Sequence, residues 1–360
     1  MKRASDIDLF RIIATLLVIV LHVLGKGGIL NNAAPDSAAY WTAWFLEICA
    51  YCAVNCFALI SGYVMADKTV KAKRIINLWL QVLFYSLLIT GLFFIFMPET
   101  RSVKELMLAF VPITGRTWWY MSSYFALFFF IPFLNSAISH ISQTTYKKFL
   151  IAVLIGACFI PRFVKVDAFT LNNGYSAVWL AVVYLFGAYI KKYDLRRKIT
   201  ALQSLLGYFV SVILAFASKF AIRFLTEKIY GEPRYEDIFV SYTSVTILLS
   251  AVFLLIFCLN VKISGWGAKM IKVLSPVTLG VYLIHAHPLL FNNIIKDAFV
   301  PFVHKPVAVM VLCVFAATTV IFALSSIVEW IRILLFRMLR IDKLCESAEN
   351  KLNCWFKKVL

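Results

Sequence analysis

The chain has 360 residues, 62% of them apolar and only 15% charged, with a mean hydropathy of +0.85 and a formal net charge of +18. That balance excludes an ordinary soluble domain and points to a polytopic membrane protein. Membrane topology and anionic lipid account for the excess positive charge, so membrane lipids are expected partners and nucleic acid is not.

Apolar windows of about 17 to 25 residues recur, each long enough to cross about 30 Å of hydrocarbon. They predict about ten spans, over 7–25, 41–65, 75–97, 118–138, 149–166, 176–190, 204–225, 238–260, 273–294 and 307–335. The last is long enough to tilt or to run beyond the bilayer. The expected fold is therefore all-α, a polytopic transmembrane helical bundle. Placing the amino terminus inside makes both termini cytoplasmic and puts about two-thirds of the 36 lysines and arginines on the internal face. Lys191-Lys192 and Arg196-Arg197-Lys198 form the clearest internal cluster.

The first run contains Asp8, Arg11 and His22. Eleven steps of ~100° bring Arg11 and His22 to within roughly 20° of one another, about 16 Å apart along the axis. They form a polar stripe on one helix face, and ionisable groups within a membrane usually face a bundle interior or a cavity. Asp8, three residues before Arg11, shares its face and can pair with it. The Gly25-Lys26-Gly27-Gly28 sequence that follows lacks a small-residue cleavage pattern, so this run is expected to stay as a span.

In the second window, Cys49, Cys52 and Cys56 have helical spacing but no histidine or carboxylate at zinc-like spacing, so they read as packing residues and no metal is expected. Cys345 and Cys354 fall on the reducing side, and no disulfide is expected. Ser61-Gly62 permits close backbone approach and leaves a hydroxyl near the internal face. Lys68, Lys71, Lys73 and Arg74 follow, a cluster able to hold phosphates or simply to mark topology. Trp118-Trp119-Tyr120 opens the fourth window, as an aromatic belt or as stacking faces for a sugar ring. Lys219 and Arg223 in the seventh are expected to snorkel outward.

His285, in the ninth window, counts to about the same depth as His22, so the two could meet in one cavity. A neutral imidazole suits proton removal from a hydroxyl. His287 and His304 are expected near the outer boundary and His140 in an internal loop. Beyond Arg337 the pattern turns amphipathic, with Ile341, Leu344, Cys345, Ala348, Leu352, Trp355 and Val359 on one side. The division expected is 1–336 for the membrane domain and 337–360 for a helix lying on the cytoplasmic membrane surface.

Four elements in order resemble the membrane-bound acyltransferase-3 family, the bacterial polytopic acyltransferases that modify carbohydrates. They are Asp8-x-x-Arg11 followed by ten residues and His22; Phe57-x-x-x-Ser61-Gly62-Tyr63 with trailing basic residues; Trp118-Trp119-Tyr120 with Ile131-Pro132; and Tyr282-Leu283-Ile284-His285. The resemblance covers essentially the whole chain. It implies transfer of an acyl group, commonly acetyl, from cytosolic acyl-coenzyme A to a sugar hydroxyl of a cell-envelope glycan or its lipid-linked precursor, in a bacterial inner membrane. Acyl-coenzyme A is then a co-substrate, with no bound cofactor. His22 would be the catalytic histidine, with Arg11 its partner and Asp8 beside it. Lys71, Lys73, Arg74 and Ser61 would serve the coenzyme, and Asn55, Trp118, Trp119, Tyr120, Tyr282 and His285 the acceptor. Two departures stand out: Asn55 occupies a position that is often Asp, and Lys71 one that is often Arg, without the bidentate fork of a guanidinium. A transporter or flippase for a lipid-linked sugar or small solute is the alternative that the spans allow. No internal repeat pairs the halves, and a scaffold without chemistry would leave Arg11 and His22 unexplained.

Overall fold

The computed structural model describes residues 5–164 and 166–359, with side chains to Trp355. Residues 1–4, Lys165 at the close of the expected fifth span, the Val359 side chain and Leu360 of the tail therefore lie outside the described residues. Every regular element among them is helical. Among the described residues, seven helical stretches are long and apolar enough to cross a membrane: Ser5–Asn32, Ala38–Met65, Ala72–Phe96, Trp119–His140, Ala201–Tyr230, Gly265–His285 and Val307–Met338. The other three expected spans are helical but shorter or interrupted. Ala177–Lys192 and Val245–Asn260 have 16 residues each, and the 143–164 stretch opens into a wide turn over Leu154–Phe159.

Two boundaries differ from the sequence reading. Residues 238–244 are not helical and instead lead into Val245–Asn260, whose N-cap is Ser244. The expected 273–294 span starts earlier, at Gly265, and stops at His285. Pro288 accounts for that stop, because a proline cannot donate to the preceding turn and disfavours the helical region at the residue before it.

Helix α1 (Ser5–Leu24) packs against α2 (Ala38–Ala50), α3 (Ala53–Met65) and the long helix Val307–Met338. Helices α3 and α4 (Ala177–Lys192) pair closely. Two glycines allow it. A Cβ at Gly62 would lie 1.9 Å from the Tyr184 carbonyl oxygen, and one at Gly187 would lie 2.2 Å from that of Leu59. The sequence expectation for Ser61-Gly62, close backbone approach, is met by this contact. Cys52, Cys56 and Cys258 are buried in the same core, and all eight cysteines are free thiols.

Lys219 and Arg223 do not snorkel outward. Lys219 is fully buried, with its Nζ 2.9 Å from Glu236 Oε1, 2.6 Å from Asp237 Oδ1 and 3.5 Å over the Trp44 ring. Arg223 holds both carboxylate oxygens of Asp36, at 2.9 and 3.0 Å, and reaches Glu236 at 3.0 Å. The partners come from two segments distant in sequence, and a charge so paired can be buried where a lone one cannot. His287 is likewise buried rather than interfacial, packed edge-on at 5.2 Å from Trp118, whereas His140 and His304 are exposed.

The tail helix Ile341–Val359 lies against the start of Ala72–Phe96. Lys73 makes that junction, bonding Asp342 at 3.0 Å and Glu346 at 3.3 Å through Nζ and Glu349 at 3.2 Å through its backbone N–H. Within the tail Cys345 is buried, while Leu344, Leu352 and Trp355 stay exposed.

Candidate functional site

A cavity of about 860 Å³ runs between the helices, and its lining draws on nearly every part of the sequence. Arg74, Asn77, Ser61 and Met65 line one end; Trp119, Tyr175, Tyr242 and Glu47 line the other, with Arg11 and His22 also on the wall. The two positions of the first helix separated by eleven residues thus open on the same space, as their angular offset requires.

At the Arg11 position, Asp8 is almost fully buried and accepts from Arg11 Nη1 at 2.9 Å and from Ser275 Oγ at 2.6 Å. Ser275 sits where a short 3₁₀ turn, Ser275–Val277, joins the two halves of the Gly265–His285 stretch. The carboxylate therefore ties α1 to that stretch while setting the direction of the guanidinium. Such charge-assisted bonds are stronger than neutral ones and specify geometry.

Farther along α1, His22 meets His285 with ring centroids 5.0 Å apart, and Phe291 packs edge-on at 4.7 Å. The two histidines do share one place, as counting depth along each helix suggested. His285 Nδ1 lies 2.5 Å from the Val281 carbonyl oxygen, which can only accept, so Nδ1 carries the proton. The Nε2 of His285 and the Nδ1 of His22 are buried without a hydrogen-bond partner. With such a nitrogen free, His22 on the cavity wall suits acid–base chemistry on a hydroxyl.

The aromatic elements also converge. Tyr120 stacks on Tyr124 at 5.9 Å, lies edge-on to Tyr282 at 6.2 Å, and has a buried hydroxyl without a partner. Trp118, Trp119, Tyr120 and Tyr282 all line the cavity. Ser61 lines it too, its hydroxyl donating to the Phe57 carbonyl at 3.0 Å and lying 3.2 Å from the Tyr124 hydroxyl.

Five of the residues expected in the site are not on the cavity wall: Asp8 and His285, which contact the lining residues Arg11 and His22, and Asn55, Lys71 and Lys73. Asn55 is fully buried, accepting from Trp179 Nε1 at 2.9 Å and donating to the Tyr242 carbonyl at 2.8 Å. Both ends of its amide are committed to holding α3, α4 and the Tyr242 segment together. Lys73 is engaged by the tail, and Lys71 is an exposed residue preceding Ala72–Phe96. Arg74 alone of that cluster lines the cavity.

Two groups escaped the sequence reading. Glu47 lines the cavity and is 7% exposed, with its Oε2 unpartnered. Glu329 is fully buried, receiving bonds from Tyr85 at 2.5 Å, Gln81 at 3.0 Å and Arg332, and Gly280 leaves room for it. Glu329-x-x-Arg332 at helical spacing inside an apolar run was a readable signal. It lies near the end of a window longer than one crossing, and the sequence reading did not single it out. Glu47 carried no such partner in its own helix.

The family described as an acyltransferase domain matches residues 5–326 of this chain, nearly its whole length. No curated protein and no solved structure matches it.

Proposed function

This chain belongs to the acyltransferase-3 family, and from that premise we propose that it moves an acyl group, commonly acetyl, from cytosolic acyl-coenzyme A to a sugar hydroxyl of a cell-envelope glycan or its lipid-linked precursor. The observation that supports this reading best is one cavity that joins Arg74 at one end to an aromatic end at the other, with His22 on its wall. Donor and acceptor can then enter from opposite ends and meet at one imidazole.

The coenzyme's phosphates dock at the Arg74 end, which the positive-inside bias places in the cytosol. Its pantetheine arm extends past Ser61 and Arg11 toward His22, a distance of the order of the ~16 Å between those two side chains. His22 accepts the proton of the acceptor hydroxyl as the oxygen attacks the thioester carbonyl. The tetrahedral intermediate collapses, the carbon–sulfur bond breaks, and the imidazolium returns the proton to the departing thiolate. Arg11, held by Asp8, positions the donor, and His285 fixes the orientation of the His22 ring. The site would lie in a bacterial inner membrane, and the acceptor would rest against Trp118, Trp119, Tyr120 and Tyr282.

The test is His22→Ala in protein reconstituted in lipid, with acetyl-coenzyme A and an envelope glycan extract, reading mass added to the glycan. Acylation is expected to vanish at unchanged protein abundance. Acylation that persists in the variant would remove His22 from the chemistry.

A further inference from the structure

The most unusual group on the cavity wall is Glu47. A carboxylate oxygen buried from water without a hydrogen bond is costly and rarely left so unless something else satisfies it. Its charged neighbour is Asp237, of like sign, and Asp237 is already held by Lys219. Among the described residues, no cation is therefore assigned to Glu47 by the geometry.

Around it stand four rings from four segments. Tyr51, one turn on from Glu47, lies 4.9 Å from Tyr242; Tyr242 lies 5.2 Å from Tyr175; and Trp119 lies 4.4 Å from Tyr175 and stacks at 6.4 Å on Tyr242. All four, with Glu47, line the same end of the cavity. The arrangement is built rather than incidental. Asn55 holds the Tyr242 backbone at 2.8 Å, and the Lys219 and Arg223 ion pairs pin the segment just before it.

We propose that Glu47 with Tyr51, Trp119, Tyr175 and Tyr242 forms a subsite for a neutral pyranose ring. Aromatic faces cover the apolar C–H face of such a ring, while the carboxylate accepts from one of its hydroxyls. Its identification as the acceptor's subsite rests on the acyl-transfer reading; sugar binding itself does not. Glu47 fixes which hydroxyl turns toward His22 and touches no part of the donor.

Binding can be read without any acyl donor. Purified protein in lipid nanodiscs is titrated with glucose, galactose, mannose, N-acetylglucosamine and glucosamine, reading Trp119 fluorescence against a Trp119→Phe blank. At least one neutral sugar is expected to give a saturable change. Glu47→Leu weakens it by about tenfold, the loss of one hydrogen bond to a buried carboxyl oxygen. Glu47→Gln, which keeps one acceptor oxygen and the side-chain volume, weakens it less. A panel without a saturable response, a response only to protonated glucosamine, or equal affinity in Glu47→Leu would each overturn the proposal. Failure of acyl transfer in the His22 experiment would leave this result standing, so the two readings fail separately.

Discussion

Gly62→Ala tests how tightly the cavity's scaffold is set. An added Cβ would sit 1.9 Å from the Tyr184 carbonyl oxygen, 2.8 Å from its carbon and 3.0 Å from the Ala188 nitrogen. All three are backbone atoms, so no rotamer change relieves the overlap. Real Cβ contacts essentially never fall below 3.0 Å, so α3 and α4 must part by about 1 Å. Overpacking of this kind costs about 1–3 kcal/mol. The Asn55–Trp179 bond crosses the same helix pair at 2.9 Å, and stretching it adds about 1 kcal/mol more. Gly91→Ala supplies the control, because nothing lies within 4 Å of the Cβ it would gain. Thermal unfolding in one detergent, at one scan rate, compares the three proteins. Gly62→Ala is expected to unfold several degrees below the parent and Gly91→Ala within about a degree of it or above. Because Ser61 precedes Gly62 on the cavity wall, donor KM should rise as well. Equal transition temperatures for both alanine variants would refute the close-contact argument.

Two further outcomes follow from side chains whose partners differ from their sequence neighbours. Arg74→Ala is expected to raise KM for acetyl-coenzyme A about tenfold or more, the loss of one charged hydrogen bond. Lys73→Ala, whose bonds go to exposed tail carboxylates, should leave that KM unaltered and stability nearly so; kinetics with varied donor separate the two. At the far end, the Arg223 guanidinium bonded to Asp36 holds that carboxyl below its usual range. For Glu236, partial burial pushes the pKa up, but the bonds from Lys219 and Arg223 outweigh it and the net shift is downward. A depressed folded pKa contributes stability that is fully present above the unfolded values of about 3.9 and 4.3 and is lost as pH falls through the folded ones. Unfolding temperature is thus expected to drop on acidification below about pH 4, and Lys219→Met, which strands two carboxylates, should lower it already at neutral pH. A pH-independent transition in the parent would contradict this linkage.

The sequence carried the helical class and the polar stripe because both depend on spacing within a single segment. Arg11 and His22 fall on one face by helix geometry alone, and the meeting of His22 with His285 followed from counting depth along two helices. What it could not carry were pairings set by tertiary packing. Lys219 looked like a snorkelling residue because Glu236 and Asp237 lie beyond the end of its helix and Trp44 lies on another. Lys73 looked equivalent to Arg74, yet one position along a helix turns a side chain by ~100°, which here separates the tail from the cavity. Asn55 looked like a cavity residue, and only the placement of Trp179 and the Tyr242 carbonyl commits both ends of its amide elsewhere.

The same packing bears on whether the cavity serves chemistry or passage. A carrier of a lipid-linked sugar opens a central site alternately to the two sides, which requires one group of helices to rock against another. Here α3, which supplies Phe57, Ile60, Ser61 and Val64 to the cavity wall, is in backbone contact with α4 at both Gly62 and Gly187. Asp8 joins α1 to the Ser275 turn, and Glu329 joins Ala72–Phe96 to Val307–Met338 through Gln81 and Tyr85. Rocking across these junctions would expose buried charged or backbone groups that have no alternative partners in hydrocarbon. Acyl transfer asks for no such motion. On the proposed reading the acceptor would stay at one end and the coenzyme at the other, with only a small acyl carbon having to lie within reach of both at His22. A fixed passage is what such a division of labour would need, and the buried pairs are placed to hold one.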